Sequence, residues 1–193
     1  KKKRKLKLKI FKSKYLFIEK KIQILQKNKF STDILIAPSW NSNFYSSKCH
    51  LILNEKLKNK GVTFKLRPHP MSFKNGETSL SELKKEEIQI DRDIFLNFQN
   101  YNFLISDWSG IFIEYALIFK KKAFLINTPK KMVNENYLIY ENEPIEISLR
   151  NVFAKNFEID KIPQMVEEII IQKNSNESPQ NEEIKKIIKN KFY

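Results

Sequence analysis

"NFLISDWSGIFIEY", Asn102 to Tyr115, decides how this chain is read. An apolar run, Phe103-Leu104-Ile105, stops at Ser106-Asp107-Trp108-Ser109-Gly110. A second apolar run resumes at Ile111 and continues to Phe119, interrupted only by Glu114. The first run has the length and composition of a buried strand, and the second that of a helix. Gly110, one of only three glycines in 193 residues, lies where strand would pass into helix. A helix beginning near Ser109 presents free backbone N–H groups and the positive end of its dipole, which together attract an anion. Glycine in the first turn lets a phosphate approach the backbone closely. Ser109 adds a hydroxyl, and Asp107 can cap the helix or orient its neighbours. Ordinary capping by Asp107 or Ser109 accounts for the same residues.

The pattern repeats outward from that stretch. Asp33 to Ala37 is a short apolar run ended by Pro38-Ser39-Trp40, and residues 44–60 read as an amphipathic helix with Gly61 at its end. Val62 to Leu66 forms the next strand, stopped by Arg67-Pro68-His69-Pro70. Residues 79–86 read as helix, Ile88-Gln89-Ile90 as a short strand, and Ile94 to Phe98 as a helical turn or two. Ala123 to Ile126 is a further strand, stopped near Pro129. Beyond it the pattern weakens until helical stretches at Gln164–Ile171 and Glu182–Ile188, separated by the polar linker "NSNESPQN" (174–181). Short unalternating strands between helices predict an α/β fold: a Rossmann-like parallel sheet with helices on both faces and helices at the C-terminal end. The expected divisions are a basic arm at 1–30, the sheet domain at 31–160 and a helical segment at 161–193. In such sheets ligands bind outside the carboxyl ends of the strands. Here those ends read "APSWNSN", "RPHP", "SDWSG" and "NTPKK".

Composition narrows the chemistry. The net charge of +14 is uneven: residues 1–21 hold 11 of the 36 basic residues and one acid, Glu19, leaving only +4 for the rest. Only Arg4, Arg67, Arg92 and Arg150 are arginines, so the arm holds a single copy, Arg4, of the side chain favoured for base readout, and specific nucleic-acid binding is not expected. Cys49, the only cysteine, excludes an internal disulfide and fits a reducing, cytoplasmic setting. Two histidines and one cysteine point away from a metal centre. No run approaches the length of a membrane span. Neither a P-loop nor G-x-G-x-x-G is present, nor the layout of a hydrolase elbow.

His69 stands between two prolines that restrict its backbone, and an imidazole there can exchange a proton with a leaving phosphate. A packed ring in a rigid turn is the alternative. Arg67 shares the His69 face of an extended segment and can anchor a phosphate or a carboxylate. Glu114, on a helix apolar all round, is expected to be buried and to need a partner, either a structural cation or a ligand's hydroxyls. His50 reads as surface or packing.

Four motifs in this order, "ILIAPSWNSN", "KLRPHP", "ISDWSGIFIEYA" and "KKAFLINTPKK", resemble the donor-binding half of the CDP-glycerol glycerophosphotransferases. These are the teichoic-acid and capsule polymerases, enzymes of GT-B fold, and the resemblance spans residues 33 to 140. It implies a transferase domain that binds a CDP-activated alcohol as substrate, with no cofactor and no metal. His69 would contact the donor phosphates and assist departure of CMP. Ser109 and the Gly110 backbone would cradle the pyrophosphate, Asp107 would shape the loop, and Glu114 would reach the ribose. Pro38, Ser39 and Trp40 would face the acceptor cleft. Many members carry two serines where this chain has Ser109-Gly110. The family's other half bears a further histidine motif that is not matched here, so the resemblance implies a missing N-terminal GT-B half as partner. It also implies work at the inner membrane face, where the basic arm at 1–21 would meet anionic lipid. A CMP- or UDP-sugar glycosyltransferase domain is the alternative of the same class. A non-catalytic, nucleic-acid or membrane-surface binding module is the alternative of another.

Overall fold

The computed structural model describes residues 31–40, 43–93, 98–129, 144–175, 182 and 184–186. The basic arm at 1–30, the turn expected at 94–97, most of the polar linker and the end of the last helical stretch lie outside these residues. Five strands form one parallel sheet: β1 (Thr32–Ile36), β2 (Phe64–Leu66), β3 (Tyr101–Ser106), β4 (Ala123–Asn127) and β5 (Ala154–Glu158), in the order β2-β1-β3-β4-β5. The helices are α1 (Cys49–Asn59), α2 (Pro70–Lys74), α3 (Leu80–Lys85), α4 (Ile111–Phe119), α5 (Ile145–Ser148), α6 (Arg150–Phe153) and α7 (Ile162–Asn174). This is a Rossmann-like α/β sheet with both faces covered, as the sequence implied.

Strand alternation assigns the two cores. Ile34, Ile36, Phe103, Ile105, Phe124 and Ile126 face Leu53 and Leu57 of α1 and Met165 and Ile169 of α7. Leu35, Leu104 and Leu125 face Phe112, Tyr115 and Ala116 of α4 and Phe153 of α6. Each fully buried side chain of this size contributes about 1.5–3 kcal/mol of apolar burial, so both faces are needed to hold a sheet of such short strands. The segment expected as separate from residue 161 supplies Ile162, Met165, Val166 and Ile169 to the first core and packs as part of the same unit.

Several elements differ from expectation for local reasons. The helix placed at 44–60 begins only at Cys49, because Lys48 takes a left-handed conformation (φ 56°) after a buried turn built on Phe44 and Tyr45. Its far end is as predicted: Gly61 holds φ 64° and donates to the Lys58 carbonyl. The strand expected at Ile88–Ile90 is a single parallel bridge between Leu66 and Ile90. Arg67-Pro68-His69-Pro70 does not merely stop β2, since Pro70 opens α2 at a position where proline's missing N–H costs nothing. No helix among the described residues is long and apolar enough to cross a membrane.

Candidate functional site

Chain order reverses direction across the sheet between β1 and β3, since β1 leads outward to β2 and β3 leads the other way to β4. A crevice opens at such a switch point, outside the carboxyl ends of the two strands. Its walls are the two loops the sequence singled out, Ala37 to Trp40 after β1 and Ser106 to Gly110 after β3.

Three consecutive residues anchor the second loop in three places. Ser106 Oγ donates to the Ala37 carbonyl at 2.6 Å. Asp107 Oδ1 accepts the Ser39 backbone N–H at 2.7 Å. Trp108 Nε1 donates to the Thr128 carbonyl at 2.8 Å, tying the loop to the end of β4. Ser106 and Asp107 are both fully buried. Asp107 thereby orients the neighbouring loop. The helix cap falls to Ser109, whose Oγ accepts from the Ile111 N–H at a long 3.5 Å, and Gly110 is the N-cap residue proper.

Gly110 has φ −65°, a conformation open to any residue, so it is not required by backbone strain. A Cβ there would meet Glu146 Cγ at 3.4 Å and Oε1 at 3.6 Å. The space beside the start of α4 is thus shared with the exposed Glu146 of α5. Glu114 occupies the first turn of α4 and is half-buried, not enclosed as expected, because that turn is only partly covered: Ile111 and Ile113 are half-buried as well.

His69 is exposed at the N-terminus of α2, where Nδ1 accepts the Met71 N–H at 3.1 Å. An accepting Nδ1 carries no proton, so in the neutral ring the proton is on Nε2, leaving that nitrogen as the donor. The cap, rather than the flanking prolines alone, fixes the ring's direction. Trp40 lies beside it with ring centroids 6.2 Å apart, joining the β1 and β2 loops into one rim. Arg67 turns instead to Asp91, Nη1 to Oδ2 at 3.3 Å, so its side chain is engaged in a structural pair with a buried carboxylate.

Arg150, unassigned by sequence reasoning, is the buried cation beneath the rim. Its Nη1 donates to the Asp107 carbonyl at 2.5 Å, and its Nη2 to the Ile126 carbonyl at 3.4 Å and to Asn127 Oδ1 at 2.9 Å. The guanidinium carbon stands 4.1 Å from the centre of the Trp108 ring. Burial pushes its pKa down to about 10, against the upward pull of Asp107 and Glu158, so it remains charged at neutral pH. Asn127 Nδ2 passes the chain on to Glu158 Oε1 at 2.7 Å. The signal in the sequence was slight: one arginine among four in a chain otherwise supplied with lysine.

The rim thus combines an oriented helix N-terminus, a hydroxyl, and an imidazole whose neutral ring carries its proton on Nε2, an arrangement able to donate hydrogen bonds to an anion. No group of side chains suited to hold a metal ion occurs among the described residues. Comparison with protein-family models, curated proteins and solved structures finds no match to this chain.

Proposed function

We propose that the chain is the donor-nucleotide-binding domain of a glycerophosphotransferase-like enzyme, which moves a phospho-alcohol from a CDP-activated donor to a cell-surface polymer of the teichoic-acid or capsule type. The observation that carries this reading is the anchoring of the Ser106–Trp108 turn to both neighbouring loops, which holds the start of α4 in the switch-point crevice. A diphosphate bound there accepts hydrogen bonds from backbone N–H groups and from Ser109, and developing charge on its oxygens is stabilised by the same groups. An acceptor hydroxyl oxygen then bonds to the β-phosphorus while the bridging P–O bond breaks, its electron pair leaving with CMP. The acceptor's proton goes to a base on the partner half. His69 Nε2–H donates a hydrogen bond to the departing phosphate and so stabilises the charge that gathers there.

The other GT-B half is the required partner, and the isolated chain binds donor without turning it over. The lysine-rich arm at 1–21 supports peripheral association with anionic lipid, at about 1 kcal/mol for each basic residue near the surface.

Calorimetric titration with CDP-glycerol, CMP and UDP-glucose at two salt concentrations tests the reading on wild type, Ser109→Ala and His69→Ala. Cytidine-selective binding weakened by both substitutions is expected. Preference for UDP-glucose would move the domain to the sugar transferases. A folded wild type that binds no nucleotide would overturn the proposal.

A further inference from the structure

Beside the crevice, an open cleft of about 790 Å³ runs from Trp108 across the ends of β4 and β5. Its polar lining is Asn127, Thr128, Glu158 and Asp160, and among the described residues no lysine or arginine lines it. In a chain of net charge +14, a cleft walled by two carboxylates is a local reversal of sign. Such a wall repels phosphate and favours a cation. Lys161 stands 3.8 Å from Asp160 as an exposed pair, and Arg150 directs its N–H groups behind the indole at Asp107, Ile126 and Asn127, although its charge still acts on Glu158.

Two further features refine the ligand. Thr128 is only 2% exposed, lines the cleft, and carries a hydroxyl oxygen without a hydrogen-bond partner among the described residues. Glu158 is held in place, because Arg150 takes the oxygen of the Asn127 amide and so leaves its nitrogen to donate to Glu158. One face of the Trp108 ring is already covered by Arg150, which weakens the case for a quaternary ammonium seated on an aromatic wall. Carboxylates and a hydroxyl oxygen accept hydrogen bonds, and a primary ammonium has three to give.

We infer that this cleft takes a primary ammonium group carried on the alcohol of the donor, so that the preferred substrate is a CDP-activated amino alcohol. The inference rests on the nucleotide reading above. The phosphate would sit at Ser109-Gly110, and the cleft opens at Trp108, the residue immediately before, so a zwitterionic phospho-amino alcohol spans two sites of opposite sign.

The test is titration of the full chain with CDP, CDP-ethanolamine, CDP-glycerol and CDP-choline at low salt. CDP-ethanolamine is expected to bind about tenfold more tightly than CDP-glycerol, a margin that shrinks as salt screens the exposed carboxylates. Glu158→Gln keeps an acceptor for Asn127 but removes the charge, and it should cut the CDP-ethanolamine to CDP-glycerol ratio to near one. Equal affinity of wild type for these two, with CDP binding intact, overturns the inference and spares the nucleotide reading. CDP-choline binding as tightly as CDP-ethanolamine overturns the primary-ammonium assignment. Failure of all four to bind removes both.

Discussion

Replacing Arg150 with methionine removes the charge beneath the rim while filling most of the side chain's volume. Three acceptors lose their donor: the carbonyls of Asp107 and Ile126 and the side chain of Asn127. A hydrogen bond to a charged group is worth about 1.5–3 kcal/mol, but three bonds from one fork are not independent. Removing one partner from a buried charged network costs about 3–5 kcal/mol, and the apolar stem of methionine recovers part of it, so about 3 kcal/mol is expected. For a chain of this length that lowers Tm by about 6–12 °C. Arg150→Lys keeps a charge near Asp107 but cannot reach three acceptors, and should lose about half as much. Urea unfolding is the assay, followed by tryptophan fluorescence; the chain has only Trp40 and Trp108, both on the rim, so the signal reports the site itself. An Arg150→Met protein within about 1 kcal/mol of wild type would falsify the assignment of Arg150 as the strut of the turn.

Three further outcomes are expected. His69→Ala should lose about 1 kcal/mol of stability with its cap, whereas His69→Asn, a good N-cap, should keep stability and still fail to support transfer in the reconstituted enzyme. Gly110→Ala should leave urea stability within about 0.5 kcal/mol, since φ −65° suits alanine, yet weaken nucleotide binding by about tenfold if phosphate approaches that backbone. Lys121 is held by burial at a pKa of about 8, below its unfolded value, so the unfolded chain binds more protons above pH 8. Its contribution to stability should therefore rise between pH 8 and about 10, and a Lys121→Met protein should lack that rise in pH-dependent denaturation.

What was legible in the sequence was contiguous. β3 and α4 follow one another with a clean change of period, and their boundaries came out within a residue or two. β5 was invisible because Ala154-Lys155-Asn156-Phe157-Glu158 is an edge strand with a half-open face, and it shows neither a buried run nor a strong alternation. α2 was hidden for another reason: Pro-His-Pro reads as a stop, although its second proline is equally a start. At the site, residue types were readable but partners were not. Asp107 was open to two readings, a cap or an orienter of its neighbours, and the residue its oxygen serves, Ser39, lies 68 residues earlier where no local pattern points. Arg67 was expected to anchor a phosphate or a carboxylate of the donor; its Nη1 stands 3.3 Å from Asp91, a partner that only the fold supplies. Arg150 offered no local pattern at all, because its role exists only once the ends of β3, β4 and β5 are side by side.

The two rim arginines share a consequence for how an anion is attracted. Arg67 turns to Asp91, and Arg150 turns inward to carbonyls beneath the turn. Neither charge is presented to the crevice as a free counterion for phosphate. On the proposed reading, attraction in the crevice falls, among the described residues, to the oriented N–H groups at the start of α4 with Ser109 and His69. Such dipoles act over a few ångströms and displace few condensed ions. The lysine arm is the opposite case, a dense row of charge whose binding to a polyanion would fall steeply with salt. Titration at two salt concentrations therefore separates the two surfaces of this chain: shallow dependence belongs to the crevice, and steep dependence to residues 1–21.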